Sequence, residues 1–166
     1  MIKKKIIMLG SFAVGKTSLV QRYVNSLFSE KYQTTIGVKI DQKTVESDGE
    51  EVNLLLWDIH GEDDYQKVKP VYIMGSSGCF IVIDGTRRAS LEIGNELIEM
   101  AIKTAPNAVI IILINKSDLK EEWDIDKVDI ATFRNAGYEV IETSAKTNDA
   151  IDTAFSRITQ LMLKQK

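Results

Sequence analysis

Gly10-Ser11-Phe12-Ala13-Val14-Gly15-Lys16-Thr17 decides the reading of this chain of 166 residues. A glycine, four residues and then Gly-Lys-Thr is the Walker A pattern, here directly after an apolar run of strand length, Ile6-Ile7-Met8-Leu9, and opening a helix. The glycines let the backbone curl so that several N–H groups face one concavity. The helix that follows adds the positive end of its dipole, and a polyphosphate fills the nest. On this reading Gly10, Ser11, Phe12, Ala13, Val14, Gly15, Lys16, Thr17 and Ser18 form a phosphate site. Lys16 reaches the β- and γ-phosphates and the Thr17 hydroxyl ligates magnesium. The bland alternative, a turn beside a surface lysine, fits poorly with a strand before and a helix after. The loop alone does not separate ATP from GTP, or a kinase from a switch.

Working outward, apolar runs of strand length recur at residues 54–57, 80–83 and 109–114. The last is apolar throughout and rich in β-branched residues, as a strand covered on both faces should be. Residues 38–46 and 51–57 flank Ser47-Asp48-Gly49-Glu50, which reads as a hairpin and the single antiparallel pairing. Helical patterns fill the gaps. From Asn148 to Lys164, Ile151, Ala154, Phe155, Ile158, Leu161 and Met162 share one face at steps of three and four. Asp126 caps a helix that carries Ile130 and Phe133 and stops at Gly137. Ser90 starts another, holding Leu97, Ile98, Ala101 and Ile102, that ends before Pro106. Strands alternating with helices predict an α/β fold with a mostly parallel sheet wrapped on both sides.

Two further loops carry chemistry. Asn115-Lys116-Ser117-Asp118 follows the most apolar strand, and Thr143-Ser144-Ala145-Lys146 follows the last short one, residues 138–141. Asp118 is placed to accept hydrogen bonds from N1–H and the N2 amine of guanine. Adenine offers an acceptor at N1 and nothing at C2, so it would leave a buried carboxylate unpaired. The Ala145 backbone N–H would donate to guanine O6, where adenine carries a donor. Each tetrapeptide alone could be a solvated turn. In this order, each after a strand, they predict guanine specificity, with Asn115, Lys116, Asp118, Ser144, Ala145 and Lys146 at the base.

With these residues in view, the chain resembles the Ras superfamily of small GTPases, nearest its Rab and Rho branches. The resemblance rests on residues 10–17, Thr34-Thr35-Ile36-Gly37, Trp57-Asp58 with Gly61, residues 115–118 and residues 143–146, and runs nearly end to end. It implies a P-loop GTPase fold: six strands, one antiparallel, about five helices on both faces, and one domain over residues 1–166. All five loops would lie at the carboxyl edge of the sheet. It also implies that Thr35 ligates magnesium and touches the γ-phosphate, that Asp58 holds the metal through water, and that the Gly61 N–H meets the γ-phosphate. Metal ligands are thus Thr17, Thr35 and Asp58. Thr35 and Gly61 would hold two loops only while a third phosphate is present, which makes a GTP/GDP switch. Phe28 resembles the aromatic packed against the guanine, its alternative being a helix-end core residue. Tyr32 would cover the phosphates. Tyr65, Val68 and Tyr72, with Ile36 and Trp57, would offer an apolar patch to effectors. Effector, exchange factor and activating protein would act through switch regions 28–40 and 58–75.

Departures from the family cluster at the γ-phosphate. Its catalytic glutamine is replaced by Glu62, which is ionised at neutral pH in water and has no amide N–H to donate. Glu62, Lys16, Thr35 and Gly61 are the candidate catalytic residues. Asp63 and Asp64 extend the acidic run and are read as favouring the start of the next helix. Phe12 stands where small residues are usual and Ala13 where glycine is common, so the aromatic could obstruct water or an arginine finger, the latter worth roughly 10³–10⁵ in rate. Slow, regulator-dependent hydrolysis is expected. His60, the one histidine, could position water but reads more simply as a partly exposed loop residue. Cys79 reads as a small core residue.

Composition bounds the rest. The 44% hydrophobic and 27% charged content excludes a disordered chain, and a net charge of −3 argues against a basic surface for nucleic acid. A lone cysteine permits no internal disulfide, and only four apolar residues follow Lys3-Lys4-Lys5 before Gly10, too few for a signal peptide. Ile2 and the tail Leu163-Lys164-Gln165-Lys166 carry no lipidation signal, so a cytoplasmic, monomeric protein without a direct membrane anchor is expected, and two alternatives stay open: a lipidated tail that has been lost, or a non-anchored relative of prokaryotic type. Two other functions compete with a GTP hydrolase switch. One is a GTP-binding interaction module with negligible turnover. The other is a nucleotide kinase, for which Arg22, Arg87, Arg88, Arg134 and Arg157 look scattered or far from the site rather than gathered in a lid.

Overall fold

Alternate residues of the central strands point to opposite faces, and both faces are covered. A computed structural model describes residues 1–30, 35, 37–63 and 67–165. The strands are β1 (Ile2–Gly10), β2 (Val38–Ser47), β3 (Glu50–Ile59), β4 (Gly78–Asp84), β5 (Val109–Asn115) and β6 (Glu139–Thr143). They form one sheet in the order β2-β3-β1-β4-β5-β6, with only β2 and β3 antiparallel. Five α-helices lie among the described residues: α1 (Lys16–Asn25), α2 (Pro70–Ile73), α3 (Arg88–Thr104), α4 (Lys127–Asn135) and α5 (Ile151–Lys164).

Ile6, Met8, Phe80, Val82, Ile111 and Leu113 pack against Leu19 and Val20 of α1 and Phe155 and Ile158 of α5. The residues between them, Ile7, Leu9, Ile81, Ile83, Ile112 and Ile114, pack against Leu97 and Ala101 of α3 and Ile130 and Phe133 of α4. Phe155 anchors the first core, stacked on Tyr23 at 3.9 Å between centroids and edge-on to Phe80. Burying a side chain of this size contributes about 1.5–3 kcal/mol.

The hairpin turns on Asp48 and Gly49, both at positive φ (52° and 78°), the pair a two-residue turn of matching twist requires. Asp126 caps α4 by accepting the N–H groups of Val128 and Asp129, each at 3.0 Å, and Gly137 follows the helix at φ 98°. Three expected helix limits shift. α5 opens at Ile151, because Asn148 and Ala150 are left-handed (φ 58° and 57°) and cannot join a right-handed helix. α3 opens at Arg88, since the Ser90 hydroxyl turns back to the carbonyls of Asp84 and Arg87, and Ile102 is half exposed rather than core. α2 opens at Pro70, so Asp63 does not lie in its first turn; Asp64 falls outside the described residues. The loops after β1, β3, β4, β5 and β6 share the carboxyl edge, beside the point where strand order reverses.

Candidate nucleotide site

Three successive carbonyls of the loop after β1 are held from behind. Arg87 Nη2 donates to Phe12 O at 2.5 Å, Lys116 Nζ approaches Ala13 O at 3.5 Å, and Asn115 Nδ2 donates to Val14 O at 3.0 Å. A trans peptide sets each N–H opposite the preceding carbonyl, so drawing these oxygens outward turns the following N–H groups inward. The buried Asp84 carboxylate gathers the two cations, with Oδ2 2.7 Å from Lys116 Nζ and 3.1 Å from Arg87 Nε. Burial pushes Asp84 upward, but the hydrogen bonds from Lys116 and Thr86 outweigh it and hold the carboxyl below its ordinary value. Ala13 sits at φ 65°, which costs a residue with a Cβ roughly 1–2 kcal/mol. Gly15, at φ 101°, admits no side chain: a Cβ there would lie 2.4 Å from Asn115 Nδ2.

The loop opens α1, which has no side-chain N-cap and no acidic residue in its first turn. Its first N–H groups, with the positive end of the helix dipole, suit an anion. Lys16 is buried and curls back over the loop, its Nζ 3.2 Å from both Gly10 O and Ser11 O. Burial pushes its ammonium down to about 8, with Asp58 opposing the shift and Arg87 adding to it. A bound polyphosphate would supply the missing negative charge.

Around the same cavity, Asp118 is fixed by the Ser144 hydroxyl at 2.7 Å, and Thr143 Oγ1 donates to Asn115 Oδ1 at 3.2 Å, joining the loops after β5 and β6. Arg22, in the last turn of α1, donates to both Ala145 O (2.7 Å) and Lys146 O (2.8 Å). The Lys146 ammonium pairs with Glu30 at 2.9 Å on the exposed rim. At the opposite corner, Thr17 Oγ1 donates to Asp58 Oδ2 at 2.7 Å and is in short contact with the Thr35 hydroxyl. Asp58 is buried, and its Oδ1 has no hydrogen-bond partner among the described residues. Two hydroxyls and an orphaned buried carboxylate oxygen are hard donors of the kind magnesium takes, completed by water and phosphate. Burial raises the Asp58 carboxyl, against the pull of Thr17 and Lys16, and a cation there would reverse that.

The cavity measures about 430 Å³, within the range of small-ligand sites. Phe12, Ala13, Gly15, Lys16, Thr17 and Ser18 line it from the first loop. Phe28, Thr35 and Gly61 line another side, and Asn115, Lys116, Asp118, Ala145 and Lys146 a third. Gly10, Ser11, Val14, Asp58 and Ser144 stand just behind the wall, all buried. Tyr32 lies outside the described residues, as do Ile36 and Tyr65. Ser29, Glu30, Ile59 and Leu119 also line the cavity and have no signal of their own in the sequence. The arginines are a correction: two of the five expected to be scattered or distant, Arg22 and Arg87, grip the loops from outside, brought there by strand order.

Glu62 points elsewhere. It is buried, is not among the lining residues, and its Oε1 accepts the Val68 N–H at 3.2 Å. Its backbone extends the sheet alongside the first loop, with Glu62 N donating to Gly10 O at 3.1 Å and Phe12 N to Glu62 O at 3.0 Å. Gly61 is forced by this approach, for a Cβ would meet Phe12 Cα at 2.5 Å. His60 is buried rather than partly exposed, with Nε2 3.1 Å from Lys67 O and its ring edge-on to Tyr72. Val68 is likewise core, not patch, because the turn toward α2 drives it under the sheet; Ile40, Val71 and Met74 are the exposed apolar residues nearby. Trp57 lies under the Lys5 ammonium, 3.8 Å from its ring centroid. Cys79 is buried as expected, its thiol pushed up to about 12 by burial.

A loop with its N–H groups turned inward, a carboxylate fixed at the far end of the cavity and a corner of two hydroxyls with a buried carboxylate share one sheet edge. The sequence model of the Ras family matches residues 5–164, and the chain belongs to that family. Ras-related protein Rab-32C of Dictyostelium discoideum is 34% identical to it over 168 residues, 98% of this chain and 75% of the relative. Ras-related protein YPTC6 of Chlamydomonas reinhardtii is 31% identical over 156 residues, 93% and 72% respectively. The protein is thus a small GTP-binding switch of Rab type and a GTPase. Nucleotide, generally with magnesium, and regulators and effectors are the ligands its family implies. No helix among the described residues is long and apolar enough to cross a membrane.

Proposed function

We propose that residues 1–166 act as one GTP/GDP switch unit in which Lys16 and the inward N–H groups of residues 13–18 hold the phosphates, Asp118 and Ala145 read guanine, and Thr17, Thr35 and Asp58 hold magnesium. The observation that carries this reading is the row of outward-drawn carbonyls at Phe12, Ala13 and Val14, opposite Asp118 across one cavity. Magnesium, when bound, neutralises charge on the phosphate oxygens. Lys16 does the same from the loop side, and Thr35 and Gly61 answer to the third phosphate through two loops. Effectors, exchange factors and activating proteins engage the chain at residues 28–40 and 58–75, where Ile40, Val71 and Met74 supply exposed apolar surface. The purified protein, denatured, should release GDP or GTP and no adenine nucleotide. Equal binding of ADP and GDP with magnesium supplied would overturn the reading.

Hydrolysis is slow on this reading. The Glu62 carboxylate is engaged by Val68 and does not line the cavity, while Phe12 does. The same two observations favour the second reading, a GTP-loaded interaction module with negligible turnover. Phosphate release over hours under single-turnover conditions separates them: release above the uncatalysed background supports the switch, and none supports the module.

A further inference from the structure

Arg22 stands outside the cavity, yet its guanidinium forks onto two successive carbonyls of a loop 123 residues away: Nε on Ala145 O and Nη2 on Lys146 O. The same group lies 5.9 Å from the Phe28 ring centroid, so one cation touches both the loop after β6 and the aromatic wall of the base end. A planar fork on two oxygens fixes orientation as well as distance, which a single ammonium cannot do. Drawing Ala145 O toward Arg22 sets the Lys146 N–H on the opposite, cavity side. The preceding peptide is set in the same sense by Asp149, whose N–H donates to Ser144 O at 2.9 Å and so turns the Ala145 N–H. Ala145 has no polar side chain, and the Lys146 ammonium is occupied by Glu30, so neither can orient this backbone itself.

We infer that Arg22 is a positioning residue for recognition of the guanine 6-oxygen, holding the Lys146 backbone donor, which follows the Ala145 carbonyl it grips, at the distance that oxygen requires, beside the Ala145 donor that Asp149 orients. The inference rests on the guanine reading of this loop. It concerns one edge of the base, because Asp118, which reads N1–H and the 2-amine, is fixed separately by Ser144.

The test compares GDP with two analogues on wild type, Arg22→Lys and Arg22→Ala. In 6-thio-GDP a weak sulfur acceptor replaces O6, while N1–H and the 2-amine remain. Inosine diphosphate keeps O6 and N1–H and lacks the 2-amine. Arg22→Ala should weaken GDP by about tenfold, the size of one charge-assisted contact, and 6-thio-GDP by less than about threefold. The preference for GDP over 6-thio-GDP then shrinks while that over inosine diphosphate is unchanged. Arg22→Lys should fall between wild type and Arg22→Ala, and it carries the test alone if the alanine variant does not fold. Equal losses for GDP and 6-thio-GDP would mean that Arg22 only packs α1 against the loop, and would overturn the inference, as would unchanged GDP affinity. Failure of the guanine reading shows separately, in wild type that does not distinguish GDP from ADP, and takes this inference with it.

Discussion

The Glu62 carboxylate accepts the backbone N–H of Val68 at 3.2 Å, inside the protein and behind the cavity wall. In Glu62→Gln the amide oxygen can accept the same N–H, so the fold should be kept, but a neutral acceptor holds that N–H more weakly than a carboxylate and leaves the side chain freer to turn toward the cavity. Single-turnover hydrolysis by Glu62→Gln should be faster than wild type on the order of tenfold, the worth of one hydrogen bond to the attacking water. A wild type as fast as or faster than the variant would refute this account of slow turnover.

Arg87 reaches the phosphate loop from 75 residues away and draws the Phe12 carbonyl outward. Arg87→Ala frees that peptide to rotate, with the left-handed Ala13 beside it. Release of a fluorescent GDP should quicken by about tenfold, as expected for losing a charge-assisted hydrogen bond. Arg87→Lys should recover part of the loss, since an ammonium can reach either Asp84 or Phe12 but lacks the fork. An unchanged release rate in Arg87→Ala would show that the loop holds itself.

Gly61 has no room for a side chain, with Phe12 Cα and N at 2.5 and 2.7 Å from a Cβ built there. Both near atoms are backbone, so Gly61→Ala must part the strand extension from the loop, breaking the pair of hydrogen bonds between Glu62 and residues 10 and 12. Destabilisation of about 1–3 kcal/mol is expected, read as a lower thermal midpoint without nucleotide. A midpoint equal to wild type would mean that this contact contributes nothing.

Lys16 couples nucleotide binding to pH. Burial lowers it from 10.5 to about 8 in the free protein. The lysine of the unfolded chain still carries its proton between pH 8 and 10.5, where the folded one has lost it. The unfolded state therefore binds more protons there, and nucleotide-free stability gains a term that rises with pH across that window. Polyphosphate restores the ammonium, so binding above pH 8 must take up a proton, and affinity should fall by up to tenfold per pH unit from pH 8 upward. Calorimetry in buffers of different ionisation enthalpy checks this. Identical heats at pH 9 would rule it out.

The strand and helix pattern, the phosphate loop and the pairing of Asp118 with the loop at Ala145 were legible in the chain itself. Each rests on residues close in sequence, where backbone periodicity and the freedom of glycine act locally. The number of strands came from likeness to a family and their order only from the structure, since a run such as Val109 to Ile114 shows that it is buried and not which strand flanks it. The reach of Arg22 and Arg87 and the direction of the Glu62 side chain were not legible for the same reason. A guanidinium is drawn to whatever carbonyl the topology sets within its reach, and for Arg22 and Arg87 those carbonyls lie 123 and 75 residues off. Nor does Glu-Asp-Asp reveal that its first carboxylate turns inward to Val68. By itself the sequence determined the family and which loops gather at one cavity. Only tertiary packing decided which groups hold them there, because side chains that act through carbonyls behind a loop leave no motif.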